Sequence, residues 1–165
     1  MLSTALIALT FNTAQADSRI NSLNWVSLGA SSFNTEYGAD AAVGIRGYTA
    51  KMNALEASAN LFSTQDGVGG HLIRFSGYRY NQGGDAAAWY GGGGMGLGGH
   101  TDMGFGVQAH ASVGYEFLRK KAIGSFAQAD VTSPIASVNG GGFDNWAPIL
   151  SFRVGIGLGN AMLSY

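Results

Sequence analysis

The sequence predicts an all-β chain, eight antiparallel strands closed up-and-down into a barrel. Three observations carry this expectation. Apolar and polar residues alternate with a period of two in one segment after another, and no helical stripe is sustained over several turns. The alternating segments number eight and are each about nine to thirteen residues long, the length of a tilted barrel strand. Glycine supplies 27 of 165 residues and proline only 2, so the chain bends and packs closely without the composition of a disordered tract.

The segments follow in order. Asn24–Ser32 sets Val26, Leu28 and Ala30 on one face. Ala41–Ala50 sets Ala41, Val43 and Ile45 against Gly44, Arg46 and Tyr48. Met52–Phe62 sets Leu55, Ala57, Ala59 and Leu61 against Glu56, Ser58 and Asn60. Leu72–Tyr80 opposes Ile73 and Phe75 to Arg74 and Ser76. Ala88–Gly98 keeps Trp89, Met95 and Leu97 on one face through a run of glycines. Gly106–Leu118 is the clearest: Val107, Ala109, Ala111, Val113, Tyr115 and Phe117 alternate with Gln108, His110, Ser112, Gly114 and Glu116. Ala122–Thr132 opposes Ile123, Ala127, Ala129 and Val131 to Gly124, Gln128 and Asp130, with Phe126 on the polar side. Pro148–Leu158 closes the series with Leu150, Phe152, Val154 and Ile156 against Ser151, Arg153, Gly155 and Gly157.

The connections are expected to differ in length at the two ends. Phe33–Asp40, Ser63–His71, Gly99–Gly104 and Ser133–Ala147 fall at one end; Lys51, Asn81–Ala87 and Arg119–Lys121 fall at the other. Short turns on the periplasmic side and longer loops outside are the habit of outer-membrane barrels.

Composition excludes several classes. Acids and bases nearly cancel, 10 against 9, which argues against a nucleic-acid-binding module with its basic stripe. Cysteine is absent, which removes disulfide frameworks, cysteine zinc sites and thiol catalysis. No apolar run reaches the length of a spanning helix. At the N-terminus, Leu2–Phe11 is apolar and Ala14-Gln15-Ala16 forms an A-x-A pattern, so residues 1–16 read as a signal peptide that lacks its basic n-region. The single barrel domain is then 17–165, located in the bacterial outer membrane.

In a membrane barrel the outward face is apolar and the lumen polar. Six strand-interior charges, Arg46, Glu56, Arg74, Glu116, Asp130 and Arg153, all sit on the polar faces, three of each sign. Opposite signs fall on neighbouring strands, Arg46 beside Glu56, Glu56 beside Arg74 and Arg153 beside Asp130. An eight-stranded barrel is just wide enough for side chains to fill it, so the lumen is expected to hold a neutral hydrogen-bonded ion network. Small lumenal positions leave room for Tyr48, Tyr78 and Phe126. Trp25, Tyr80, Trp89, Tyr115, Phe117 and Trp146, near strand ends, are expected to form interfacial girdles.

Gly114–Arg119 (GYEFLR) followed by Phe126–Pro134 (FAQADVTSP) resembles the last hairpin of bacterial small outer-membrane β-barrel proteins of the OmpA/OmpX-like kind. Pro148–Leu158 (PILSFRVGIGL) resembles their closing strand. The likeness runs from Trp89 to Leu158 and is architectural before that. It implies an eight-stranded outer-membrane barrel. Such chains end on an aromatic of the closing strand, which leaves two places for closure here, Leu158 and Tyr165.

Chemistry-bearing residues are few. His71 and His100 fall at loop ends. His110 and Ser112 form a His-x-Ser pair of the kind lipid A deacylases use, but parity turns both into the lumen, away from acyl chains. The glycine run Gly91–Gly99 lacks the lysine and the strand-loop-helix context of a phosphate loop. Asp40, Asp66, Asp85, Asp102 and Asp144 are scattered one per connection without EF-hand spacing. Arg119-Lys120-Lys121 reads as a turn at the periplasmic rim. The sequence therefore points to a non-catalytic monomer without metal or cofactor, in contact with outer-membrane lipid and lipopolysaccharide and with envelope protein partners. A narrow porin-like channel, a lipid A-modifying hydrolase using His110 and Ser112, and a soluble barrel with inverted faces are the rival readings.

Overall fold

The computed structural model describes residues 20–49, 52–65, 67–83, 85–102, 104–138 and 147–161. The signal-peptide segment and the expectations placed on Lys51, Asp66, Asp144, Trp146 and Tyr165 lie outside these residues. All eight expected strands form: β1 (Ile20–Phe33), β2 (Glu36–Tyr48), β3 (Asn53–Ser63), β4 (Val68–Tyr80), β5 (Ala88–His100), β6 (Gly104–Glu116), β7 (Ile123–Ser137) and β8 (Ile149–Ala161). Each pairs antiparallel with its sequence neighbours, and β8 pairs with β1, so the sheet is a closed barrel. The described part of β8 pairs with β1 past Leu158, as far as Ala161 opposite Ile20.

The register sets the barrel's girth. A perpendicular path from Leu23 passes Arg46, Glu56, Ser76, Gly94, His110, Thr132 and Ile149 and returns to β1 at Phe33, ten residues further along. A stagger of this size tilts the strands by about 40° and leaves an interior that side chains can fill. Every side chain named on that path is on the inner wall.

Two irregularities re-aim side chains. The β3–β4 and β4–β5 ladders both shift at Leu72, so Leu72 and Ile73 both face outward while His71 and Arg74 both face inward. A bulge of this kind turns one strand without breaking the sheet. The β6–β7 ladder shifts beside Pro134, beyond the last β7–β8 pair, where a residue without an N–H costs no ladder bond. Asn34 takes φ 59° in the tight turn between β1 and β2, a left-handed conformation that asparagine tolerates.

The strands run further than expected at the end away from the termini. The connection expected at Phe33–Asp40 is only Asn34–Thr35, that at Ser63–His71 is 64–67, and that at Gly99–Gly104 is 101–103. The opposite end has connections 49–52, 81–87 and 117–122. The expected contrast of short and long ends is therefore absent for three of the four outer connections; only 138–148 is long. Asp40, His71 and His100, expected in or at the ends of connections, are each a buried lumenal residue of a strand.

The barrel is polar inside and apolar outside. Val26, Leu28, Val43, Ile45, Leu55, Leu61, Phe75, Met95, Val113, Phe152 and Ile156 are all exposed, Leu28 to 72%. Trp89, Tyr115 and Phe117 pack edge-to-face in a chain on this exterior, ring centroids 5.0 Å apart at each step. Trp25 and Tyr80 do not join them. Both are buried in the lumen, Trp25 edge-on to Phe126 at 5.2 Å and Tyr80 against Tyr48 and Tyr90. Nearness to a strand end pointed outward; their parity, opposite to Val26 and equal to Tyr78, turns them in. The aromatics need space that glycines supply: a Cβ on Gly155 would strike the Phe126 ring, and one on Gly44 the Trp25 indole.

Candidate functional site

The lumen is the one place where ionisable side chains converge among the described residues. Alternation puts most of them there, since residues two apart on a strand share a face. It is built around two hubs.

The first hub is Arg46 on β2, wholly buried. Its Nε donates to Glu56 Oε2 at 2.9 Å, and Nη2 lies 2.8 Å from the same oxygen. Its Nη1 lies 3.4 Å from both Glu116 Oε2 and the Tyr80 hydroxyl, and Nη2 donates to Gln128 Oε1 at 3.2 Å and the Tyr90 hydroxyl at 3.3 Å. The rings of Tyr78, Tyr90 and Phe126 stand 4.8, 4.5 and 5.0 Å from its guanidinium carbon. A planar guanidinium is suited to this, with donors around its edge and faces that stack on aromatics. The carboxylates are held in turn by phenols: Tyr78 donates to Glu56 at 3.1 Å, Tyr80 to Glu116 at 2.6 Å, and Tyr48 also to Glu116.

The second hub is Asp130 on β7. Arg74 Nη1 donates to its Oδ1 at 3.2 Å and Arg153 Nη2 donates to its Oδ2. Ser112 and Gln128 complete the shell, the latter at 2.9 Å. Arg74 Nη2 reaches 3.8 Å from Glu56 Oε1, which ties the two hubs together. Arg153 Nε lies 3.8 Å from Asp40 Oδ1, and Asp40 accepts from Ser31 at 2.6 Å and from Asn60 at 2.9 Å.

All six sequence-selected residues, Arg46, Glu56, Arg74, Glu116, Asp130 and Arg153, thus meet in one network. Sequence reasoning missed Asp40, which has the parity of Arg46, and Gln128, whose role needs the barrel closed. It also missed Arg119. This residue leaves the β6–β7 turn to lie wholly buried over the Tyr80 ring at 3.8 Å, and it donates to the Gln82 carbonyl at 2.8 Å. With Asp40 and Arg119 added, the described lumen holds four basic and four acidic side chains.

Both ends of the lumen are filled. Arg119, Tyr48 and Tyr80 occupy the end near the termini. At the other end His100 is stacked between Phe33 and Phe62, at 4.4 and 5.6 Å, beside Ile149. His110 and Ser112 turn to different partners: His110 Nε2 is 2.9 Å from Ser76 Oγ, and Ser112 donates to Asp130. No group of three or more metal-ligating side chains occurs among the described residues. On the outer wall, the cross-strand row Leu61, Gly70, Gly99, Phe105 leaves a groove of about 380 Å³ between its two large members.

The arrangement can hold charge and shape the barrel, and its serine–histidine pair, Ser76 with His110, is buried in the lumen. No protein-family model matches the chain, and no curated protein matches it either.

Proposed function

We propose that the chain is an integral outer-membrane β-barrel with a side-chain-filled lumen, a monomer that serves the envelope as a structural or interaction component rather than as an enzyme. One observation carries this reading: the polarity of the barrel is inverted relative to a water-soluble protein. Four arginines and four carboxylates are buried in the lumen while leucine, isoleucine, valine and phenylalanine cover the exterior. In water the exposed apolar area far exceeds the few hundred Å² that a soluble monomer shows. In a bilayer the same surface meets acyl chains, and a closed barrel leaves no unpaired strand edge in the hydrocarbon. Strands of 11 to 15 residues, tilted, span an apolar band of about 25 Å. Lipid and lipopolysaccharide are then its immediate surroundings.

The balanced and plugged lumen weighs against a porin-like channel. The inward placement of His110 and Ser112, on separate partners, gives the hydrolase reading no support. With three outer connections reduced to short turns, a binding role through loops falls on 138–148.

Membrane fractionation followed by electrophoresis of unboiled and boiled samples tests the proposal. A band in the outer-membrane fraction that shifts mobility on boiling is the expected result. Recovery in the soluble periplasmic fraction with no shift overturns it, and steady conductance in planar bilayers replaces the structural role with a channel.

A further inference from the structure

Loop length does not distinguish the two rims of this barrel, but charge does. The chain has nine lysines and arginines. Four of them, Arg46, Arg74, Arg119 and Arg153, are buried in the lumen. The other five belong by chain order to one rim, that of the termini. Arg79 is exposed at the end of β4, and Lys120 and Lys121 stand in the β6–β7 turn. In the sequence, Lys51 lies between β2 and β3, and Arg19 immediately precedes β1. Asp85 is the acid of this rim, and Asp17 lies three residues before β1 in the sequence. The opposite connections, 34–35, 64–67, 101–103 and 138–148, contain no lysine or arginine. Asp102 is the described acid in them, Glu36 opens β2 on the same rim, and Asp66 and Asp144 fall in the same connections of the sequence.

We infer that the rim bearing Arg79, Lys120 and Lys121 is a docking surface for anionic phospholipid headgroups. The inference rests on the membrane reading above. Lumenal charges are balanced and enclosed, so the field at each surface comes from its own rim. Arg79 and Lys121 are exposed, and a long basic side chain there can lay its stem along apolar wall and place its charge at headgroup level. Lys120 is half-buried, its Nζ 5.6 Å from the centre of the Tyr48 ring, and adds its charge to the same rim. Each basic group near an anionic surface adds attraction that salt screens over a Debye length. The opposite rim has no cations in its connections and offers anionic headgroups no such attraction. The partner is thus a leaflet rich in anionic phospholipid.

The test uses the full chain reconstituted in phosphatidylcholine vesicles containing a minor fraction of spin-labelled lipid, either phosphatidylglycerol or phosphatidylcholine with the same acyl chains. Electron spin resonance measures how much of each is motionally restricted at the barrel wall. The expected result is a preference for the anionic label of about twofold or more at low salt, falling towards unity at about 0.5 M salt. The variant Arg79→Gln/Lys120→Asn/Lys121→Gln abolishes the preference, while Asp102→Asn leaves it unchanged. Equal restriction of both labels by the inserted wild-type barrel overturns the inference, as does a preference that survives the triple variant or high salt. If the triple variant does not fold, the wild-type salt titration decides alone. Absence of any restricted lipid, with no heat-shifted band, is the distinct signature of failure of the membrane reading itself.

Discussion

The two halves of the lumen are electrostatic mirror images. Towards the termini a cation, Arg46, sits between two carboxylates, Glu56 and Glu116. Beyond it an anion, Asp130, sits between two guanidinium groups, Arg74 and Arg153. Their surroundings differ as their chemistry requires. The cation has only donors and a flat face, so tyrosines and phenylalanine clad it. The anion has only acceptors, so Ser112 and Gln128 complete its shell. The comparison shows how a closed eight-stranded barrel accommodates eight buried charges. Seven of the eight stand in ion pairs, and Arg119 lies over the Tyr80 ring. Neutral groups fill part of the remaining shell, while Asp40 Oδ1, Arg74 Nε and Arg153 Nη1 make no hydrogen bond.

Removing either centre breaks the mirror most severely. Arg46→Ala leaves Glu116 with phenol donors only and Glu56 with Tyr78 and the distant Arg74, and Asp130→Ala removes the anion between Arg74 and Arg153. Each is expected to cost about 3–5 kcal/mol, because breaking a buried pair leaves an uncompensated charge. Urea unfolding of the refolded barrel, read by the gel shift, measures both. Arg46→Lys remains costly, since an ammonium has neither the fork nor the stacking face. Asp130→Asn is milder, since the amide oxygen still accepts. If Arg46→Lys is silent, the aromatic cladding is packing and not cation recognition.

The second prediction contrasts the lumen with the wall outside it. Val43 on β2 faces outward, one position from the inward Ala42 and three from Arg46. Val43→Arg is expected to cost about 2–4 kcal/mol in a phospholipid bilayer, the depth-dependent penalty of an arginine on the lipid face. A substitution that is neutral in vesicles would falsify the lipid-facing assignment of that wall. The same residue type is thus welcome at position 46 and excluded at 43, and only the partner groups differ.

The barrel and most of its charge network were legible because strand alternation is strict. Arg46, Glu56, Glu116 and Asp130 each share parity with small or polar neighbours, and no other information is needed to turn them inward. What alternation left open is where each strand ends and its connection begins. Asp40 precedes Ala41 in a stretch that looks like a turn, but in a barrel with a polar lumen an acid marks the inner face of a strand. His71 was hidden by the bulge at Leu72, which breaks the parity that Arg74 establishes; nothing in the local residues announces that shift. Arg119 lies in a turn, where alternation is silent, and its burial follows from the open end of the lumen beneath it. Trp25 and Tyr80 show that parity outranks proximity to a strand end.

Packing gives a smaller and more local effect. Gly155 on β8 lies under the Phe126 ring, which is one wall of the Arg46 hub. Gly155→Ala is expected to cost about 1–3 kcal/mol by overpacking. It displaces the ring without touching any ion pair. The cost should fall sharply in the background Phe126→Leu, where the ring is gone. A double-mutant cycle reads this directly, and additive losses would mean that the strain lies in the backbone of β8 and not at the aromatic wall.

The finest difference between the hubs lies in their neutral partners. Tyr90 accepts from Arg46 and donates to Gln128 at 2.7 Å, so Tyr90→Phe removes a hydroxyl but keeps the ring against the guanidinium. Arg46 retains Glu56, Glu116 and Gln128 as acceptors, and the expected loss is about 0.5–1.5 kcal/mol. Ser112→Ala removes a donor to the ionised Asp130, a charge-assisted bond, for an expected loss of about 1.5–3 kcal/mol. The serine variant should therefore be the more damaging although the group removed is smaller. The ordering follows from the mirror. Arg46 spreads its charge over five N–H groups and three rings, whereas Asp130 concentrates its own on two oxygens. Unfolding midpoints that place Tyr90→Phe below Ser112→Ala would reverse this, and would make the phenol of Tyr90, through Gln128, the link that holds the two halves of the lumen together.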